Sequence, residues 1–265
     1  PAGQEIGHLP SSIENRESWP TLRGNPARTG FTQSAIPQDL KLGWRATIGG
    51  RRSSPVIADG KVFVASVDRG ALLAIDAGSG ATDWRFIAGG RVDSPPTIWR
   101  GRALFGCADG HVYCLRAKDG SLLWRFRAAP IDRRHVANEH LESIWPVSGS
   151  VLVREQGTAS GKPEVWCVAG RSMGLDGGMR LLRLDPESGA AISETVLDDR
   201  IPGSNDNLQK DVRWPNLPVA LPDILSFDGR LVYMRSQPFH PDGTRTGVIT
   251  PRDHTEQQGD RKSVV

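Results

Sequence analysis

The sequence has few cysteines, which limits both disulfide and zinc chemistry. Among 265 residues there are three, Cys107, Cys114 and Cys167. An odd, sparse set without a Cys-x-x-Cys pair argues against a disulfide framework and against a zinc site. Cys107 and Cys114 could face each other across a hairpin, but small buried thiols are the favoured interpretation.

Long apolar runs and a strong net charge are missing as well. The longest apolar stretches, such as residues 71–75, have the length of a strand and fall short of the roughly 18 residues that span a membrane. The chain has 33 basic and 30 acidic residues, so its net charge of +3 is a small surplus. Such a surplus does not point to nucleic acid. We predict no membrane span and no nucleic-acid partner.

A start methionine and a signal peptide are missing from the beginning of the chain. The sequence opens on Pro1, and residues 1–17 are polar and aperiodic, which predicts a polar linker or a cut N-terminus. Because the start is missing, the lack of a charged and then apolar leader says little about export.

What the sequence does contain is a repeat of forty residues. Trp44, Trp84 and Trp124 are spaced 40 and 40, and an Arg follows each of them. A fixed period of roughly 20 to 50 residues is typical of repeat architectures. The same spacing relates Gly49 to Gly89, Ser54 to Ser94, Gly80 to Gly120, and Phe86 to Phe126.

The repeating unit predicts four short antiparallel strands. In residues 53–87, Asp59-Gly60 and residues 76–80 are turn signals between alternating or apolar runs, and no helical period is present. A four-stranded unit of this size is typical of a β-propeller blade, since stacked neighbours bury the faces that one blade leaves open. We therefore predict an all-β chain, a β-propeller of about three and a half blades in residues 18–240, with an incomplete ring.

The flanks of the first units and the later units are less regular. Residues 18–30 are predicted as an ordered loop, and residues 40–48, which alternate loosely, as the first strand. Residues 128–143 are predicted as an exposed inter-blade loop, and residues 221–235 as the first two strands of a fourth unit. Residues 241–259 are predicted to be loop or disordered. Residues 260–265 match the translation of a widely used sequencing adapter, so we suspect read-through from a gene that continues.

The repeated tryptophans are interpreted as structural docking residues. Trp84 and Trp124 follow a turn glycine by four residues, on the outermost strand of their units. There the ring can lie on the turn of a neighbouring blade, and burying it stabilises the contact by about 2–3 kcal/mol. Ser193 stands at this position in the third unit, which loses the docking residue. The predicted blade-docking residues are Trp44, Trp84, Trp124, Gly80, Gly120, Asp76, Asp185 and Gly189.

No catalytic or metal-binding constellation is predicted. The spacing His-x-x-x-Glu-His of His135, Glu139 and His140, with Glu142 nearby, is not a zinc motif and lacks an evident third ligand. A solvated loop is the favoured interpretation. Turn chemistry explains Asn205-Asp206-Asn207 without a metal.

Two further patterns have structural interpretations. The glycine-rich residues 172–178 lie between strands and open no helix, so they predict a rim loop and no phosphate site. The basic pairs Arg51-Arg52 and Arg133-Arg134 are most simply solvated blade edges. Arg51 precedes the first strand of a blade, where a loop could face the central channel and contact a partner.

One stretch resembles a known family. Residues 74–84, AIDAGSGATDW, resemble the tryptophan-docking motif of pyrroloquinoline quinone (PQQ)-like β-propeller repeats, Ala-x-Asp-x-x-Thr/Ser-Gly-x-x-x-Trp. The second unit departs from it with Cys114 and Arg116 in place of Ala and Asp, and the third retains only Asp185, Ser188 and Gly189. Residues 19–24 and 141–147 are similar to multi-blade repeat proteins of planctomycete-type bacteria.

The resemblance implies a fold more firmly than a function. The family contains quinoprotein dehydrogenases and cofactor-free scaffolds. A dehydrogenase would need an Asp base, a Ca²⁺ held by oxygen ligands and, usually, a vicinal Cys pair, and no adjacent cysteines occur here. We therefore expect a non-catalytic binding or scaffold module without cofactor, in the periplasm or cell envelope, which binds a protein or small ligand on its inter-blade loops. The alternatives are a fragment of a PQQ- and Ca²⁺-dependent dehydrogenase, and a sensor or regulatory propeller of a larger multidomain enzyme.

Two expectations concern the length of the chain. About three and a half units cannot close a ring, so the 265-residue piece should expose a blade edge and aggregate; a monodisperse, cooperatively melting monomer would contradict this. Amplifying the locus across codon 260 tests the adapter interpretation, which a native stop codon after Val265 would contradict.

Overall fold

All regular structure in the described part of the chain is β. The computed structural model describes residues 18–35, 38–137, 139–155, 158–201, 203–207, 220, 222 and 224–247. These residues form five antiparallel sheets. Within them, no helix has the length and apolar character needed to cross a bilayer.

The first two repeat units form two four-stranded sheets, in which neighbours in sequence are neighbours in space. Their turns follow the predicted chemistry, since Asp59 and Gly60 both adopt positive φ, 50° and 69°. The first sheet consists of β1 (Val56–Ala58), β2 (Lys61–Ser66), β3 (Ala71–Asp76) and β4 (Thr82–Ile87). The second consists of β5 (Thr97–Trp99), β6 (Arg102–Gly106), β7 (His111–Arg116) and β8 (Leu122–Arg127).

A hairpin follows the second blade, where the sequence predicted an exposed loop. Strands β9 (Arg134–Ala137) and β10 (His140–Ser143) pair antiparallel with each other. The outer half of the hairpin is exposed, but Glu142 and Ser143 at its base are buried. The loop prediction is wrong because the short alternation His-Val-Ala was masked by the charged residues around it.

The third blade has four strands and the fourth has three. Gly189 ends the β13–β14 turn with φ 73°, as Gly80 and Gly120 do in the first two blades with φ 75°. The third sheet consists of β11 (Leu152–Arg154), β12 (Glu164–Ala169), β13 (Met179–Leu184) and β14 (Ala191–Leu197). The fourth consists of β15 (Ser226–Phe227), β16 (Val232–Met234) and β17 (Gln237–Phe239). The predicted fold class, an all-β propeller with an incomplete ring, is confirmed.

The hydrophobic core lies between neighbouring blades. Phe63 and Leu72 of the first blade belong to one buried cluster with Phe105 and Tyr113 of the second. The rings of Phe105 and Tyr113 stack with centroids 5.3 Å apart. Two further clusters join the second blade to the third and the third to the fourth. Each blade therefore depends on its neighbours for burial of its two faces.

The three cysteines are buried and free, as the thiol interpretation predicted. Cys114 lies opposite Leu104, and the backbone N–H of Cys107 donates to the carbonyl of His111. The two thiols therefore do not face each other across the hairpin. Burial raises the pKa of Cys114 and of Cys167 to about 12, so both remain protonated at neutral pH.

Each tryptophan of the repeat lies on the turn of the next blade. The indole N–H of Trp84 donates to the carbonyl of Ala117 at 3.0 Å, and a Cβ added at Gly120 would lie 2.7 Å from its ring. Trp44 makes the same contacts with Ala77 and Gly80, and Trp124 with Pro186 and Gly189.

The turns that receive these rings are held by their own aspartates. Asp76 accepts hydrogen bonds from the hydroxyl and the backbone N–H of Ser79, and Asp185 does so from Ser188. These hydrogen bonds lower the pKa of both carboxyls. The turns are therefore set before the neighbouring ring covers them.

A polar contact replaces the tryptophan between the third and fourth blades. Arg183 lies opposite Ser193 and donates to the carbonyl of Asp242 at 2.7 Å, while Thr195 donates to the carbonyl of Gly243 at 2.8 Å. Arg183 is itself bound by both carboxylate oxygens of the buried Glu164. The loss of Trp at position 193 is thus compensated by a charged side chain on the neighbouring strand.

The tryptophan contact can be tested at its glycine. Gly120→Ala forces a side chain into the Trp84 ring at a residue with φ 75°. Gly101→Ala is the control, because Gly101 has φ 70° but nothing within 4 Å of a Cβ. The control should cost about 1 kcal/mol of unfolding free energy from backbone strain, and Gly120→Ala about 1–3 kcal/mol more. Guanidinium titrations measure both, and equal costs would contradict the ring contact.

Candidate functional site

The segment 18–30 crosses the inner strands of the blades. Trp19 exchanges two backbone hydrogen bonds with Ile57 in β1, and the carbonyl of Pro20 accepts from Ile98 in β5. The carbonyl of Pro26 accepts from Phe227 in β15. The segment is ordered, as predicted, but its position along the inner edge had no signal in the sequence, because each of these contacts is long-range.

Arg28 is the centre of this segment. Its side chain is buried, with 7% of the residue exposed, and donates to Thr21, Leu22, Leu225, Ser150 and Val151. All of these acceptors are neutral oxygens. Burial lowers the pKa of Arg28 to about 10, so the guanidinium remains charged at neutral pH. One side chain therefore joins the N-terminal segment to the third and fourth blades.

One face of the structure carries the β2–β3 turns, the inter-blade connections and the β9–β10 hairpin, and we call it the crossover face. Arg51 pairs there with Asp68 at 2.8 Å, and Arg91 pairs with Asp93 and with the buried Glu142, both at 3.1 Å. Burial raises the pKa of Asp93, and Arg91 opposes this shift. Arg51 thus lies at the crossover face, in an ion pair with a residue of its own blade.

A buried carboxylate lies beneath this face. Asp109 accepts a hydrogen bond from the hydroxyl of Tyr113 at 2.5 Å, and His111 lies 3.4 Å away. Burial opposes the charge of Asp109, but hydrogen bonds from His111 and Tyr113 outweigh it and lower its pKa. Gly89 leaves the space, since a Cβ there would lie 2.3 Å from the carboxylate. The sequence reasoning missed this cluster because Asp109 looked like a turn residue.

The β9–β10 hairpin projects apolar side chains from the crossover face. Val136 and Leu141 are cross-strand partners, and 78% and 57% of their surfaces are exposed. Ile131 is exposed beside them, and Arg134 lies on the same side of β9 as Val136. We call Ile131, Arg134, Val136 and Leu141 the hairpin patch. Exposed apolar side chains grouped in this way are typical of interaction surfaces.

The histidine and glutamate candidates lie on this hairpin but do not form a ligand set. His135 is opposite Glu142, and His140 is opposite Ala137. Glu139 occupies the turn with φ 65°, and Glu142 pairs with Arg91. In the residues that the structure describes, no three His, Cys, Asp or Glu side chains are grouped to hold a metal ion.

The other sequence candidates fall in loops. Residues 172–178 connect β12 and β13, and Asp176 in this loop is bound by Arg171. Asn207 pairs with Arg200 in an isolated bridge and donates to Asp199. Arg52 donates to the carbonyl of Ile48, and Arg133 is exposed on the crossover face. None of them adjoins another candidate in a shared site.

A cleft of about 370 Å³ opens on the opposite face, between segment 18–30 and the inner strands. Its walls are mostly apolar and include Pro20, Pro26, Trp99 and Phe227. Arg154 lines it, with its guanidinium 4.2 Å from the centroid of the Phe227 ring. The size falls within the range of small-molecule sites. The sequence did not predict it because three separate segments form its walls.

These blades and docking turns define the class of protein. A family model described as outer membrane protein assembly factor BamB matches residues 34–215, more than half of the chain. The chain therefore belongs to this family, which confirms its resemblance to PQQ-like β-propeller repeats.

Curated relatives and solved structures agree with this assignment. The chain is 37% identical to the serine/threonine-protein kinase AfsK of Streptomyces griseus over 48% of this chain and 14% of the kinase. It is 29% identical to the outer membrane protein assembly factor BamB of Burkholderia pseudomallei, over 46% of this chain and 37% of BamB. The quinohemoprotein alcohol dehydrogenase of Comamonas testosteroni superposes with a TM-score of 0.61 and 18% identity, over 88% of this chain and 41% of the dehydrogenase. The chain spans less than half the length of each of these proteins.

The role of Arg28 can be tested within its own segment. Arg28→Met removes the donor for five buried or partly buried oxygens, and each buried acceptor left without a partner costs about 1–3 kcal/mol. We expect a loss of unfolding free energy of at least about 3 kcal/mol. Arg23→Met changes an exposed arginine of the same segment and should stay within about 0.5 kcal/mol of wild type. Similar losses in both variants would contradict the central role of Arg28.

Proposed function

We propose that this chain is a non-catalytic scaffold module that binds a partner protein through its crossover face. The observation that carries the proposal is the hairpin patch, in which Val136 and Leu141 form an exposed cross-strand pair. Water-exposed aliphatic pairs gain free energy when a partner covers them. The rest of the blade architecture provides a rigid base for this hairpin.

Charges beside the patch favour an amphipathic partner. Arg133 and Arg134 are exposed next to the apolar pair, and the ion pair of Arg134 with Asp132 is itself exposed. Exposed charges of this kind steer association and specificity more than they raise affinity. We propose a partner surface with an apolar centre and acidic residues at its rim.

The family supports a protein partner and a location in the cell envelope. The matching family model is described as an outer membrane protein assembly factor, a name that implies contact with other proteins. We propose on this basis that the chain acts in the periplasm or cell envelope. Fractionation of the source cells tests the location, and recovery of the protein with cytoplasmic markers would contradict it.

Two other functions follow from the relatives. The similarity to kinase AfsK favours a regulatory propeller attached to an enzyme, which sequencing the gene on both sides of this chain would test. The similarity in fold to a quinohemoprotein dehydrogenase favours a dehydrogenase fragment. In the described residues, neither adjacent cysteines nor a metal-holding group of acidic side chains is available for PQQ and Ca²⁺. Adding both to the protein and recording quinone absorbance and dye-linked alcohol oxidation tests this alternative.

The scaffold proposal is tested by site-specific crosslinking. A photoreactive p-benzoylphenylalanine at position 136 should yield a discrete protein adduct in cells of the source organism. The matched control places it at position 192, because Ile192 is exposed on β14 away from the hairpin. We expect an adduct at 136 that Leu141→Asp abolishes, since a charge then has to be buried at the contact. No adduct, or equal adducts at both positions, would contradict the proposal.

A further inference from the structure

Residues 42–47 have the exposure pattern of an outermost strand. Their pattern, two exposed residues followed by alternating half-buried and exposed ones, is the same as that of β8 and of the first six residues of β14. They also lie forty residues before β4 and eighty before β8 in the repeat. By sequence position and exposure, residues 42–47 correspond to the fourth strand of a blade.

The contacts of Trp44 agree with this correspondence. Trp44 donates to the carbonyl of Ala77 at 2.8 Å and covers Gly80. Trp84 in β4 and Trp124 in β8 contact the following blades in the same way. The docking contact therefore holds residues 42–47 beside the first blade, where a preceding blade would place its outer strand.

Residues 42–47 nevertheless belong to no β ladder. By contrast, β4, β8 and β14 each pair along one edge with the third strand of their own sheet. In the part of the chain that the structure describes, no backbone hydrogen bond reaches residues 42–47. An extended segment with unpaired N–H and C=O groups is a template for strand addition.

We propose that residues 42–47 accept an antiparallel β-strand from a partner polypeptide, with a small side chain opposite Trp44. This docking edge is separate from the hairpin patch, so it does not depend on the proposed function. The partner strand takes the place that β3 has beside β4 and β7 has beside β8.

The register of the other blades defines the chemistry of the partner strand. Ala74 lies opposite Trp84, and Cys114 lies opposite Trp124. In the third blade the sizes are exchanged, since Arg183 lies opposite Ser193. A large residue on one strand is thus matched by a small one on the other. Trp44 therefore requires a small residue opposite it.

A second constraint comes from the neighbouring pair. Leu72 lies opposite Phe86 and Val112 opposite Phe126, and both pairs occupy the position next to the tryptophan on the same side of the sheet. Ala46 is the corresponding residue of the docking edge. The partner strand should therefore read aliphatic, any residue, small, with the aliphatic residue opposite Ala46.

A second copy of this chain fits the edge poorly. Self-pairing that puts Ala46 opposite Trp44 sets two Arg45 side chains directly opposite each other, and like charges in that position destabilise the pair. Self-pairing that puts Gly43 opposite Trp44 sets Lys41 opposite Ala46, where the other blades have an aliphatic residue. The partner strand therefore comes from a different polypeptide.

The test uses a hairpin peptide with the sequence of residues 61–76, which carries Ala74 in the small position. Hydrogen–deuterium exchange reports each amide separately. Free protein should exchange the amides of residues 42–47 quickly and those of β4 and β8 slowly. The peptide should slow alternate amides in residues 42–47 by about tenfold or more, since only one edge of the strand becomes paired.

A matched peptide tests the small position without changing the protein. The peptide variant Ala74→Leu should bind about tenfold more weakly, because the added side chain overlaps the Trp44 position. Equal protection by both peptides, or no protection by either, would overturn the proposal. Amides already protected in the free protein would overturn it as well, and protection that rises with protein concentration would assign the edge to a second copy.

Discussion

The stacking of an indole ring on a glycine turn is the interaction on which the arrangement of the blades depends. Trp84 reaches from β4 to the turn at Gly120, where its N–H donates to a carbonyl and its ring occupies the space that a Cβ would fill. The same contact recurs at Gly80 and Gly189. Because each sheet buries its faces only against neighbours, a contact that fixes the distance between sheets also fixes the core between them.

The inner edge is held by a different kind of interaction. Arg28 joins segment 18–30 to the third and fourth blades through neutral oxygens only, so its charge is stabilised by dipoles of the backbone and hydroxyl groups. The outer contacts are apolar and local in the repeat, whereas the inner ones are polar and long-range. Together they leave the crossover face free to carry loops, and the β9–β10 hairpin is the most exposed of these.

The blades could be predicted from the sequence, because a fixed period and glycine turns are local signals. Trp84, Gly80 and Gly120 occupy the positions that the repeat indicated. The hairpin patch, the Arg28 contacts and the cleft beside Phe227 could not be predicted, because residues far apart in the chain form them. The prediction for residues 40–48 was partly wrong: they follow the pattern of a strand but have no partner strand among the described residues.

The polar contact between the third and fourth blades has a consequence for temperature. Apolar burial weakens on cooling, since its free energy is entropic near room temperature. The indole contacts at Gly80, Gly120 and Gly189 share this behaviour. The contact of Arg183 with Glu164 and Asp242 consists of hydrogen bonds and an ion pair, whose strength does not come from water entropy in the same way. In the cold, the interface that lost its tryptophan becomes the relatively strongest one.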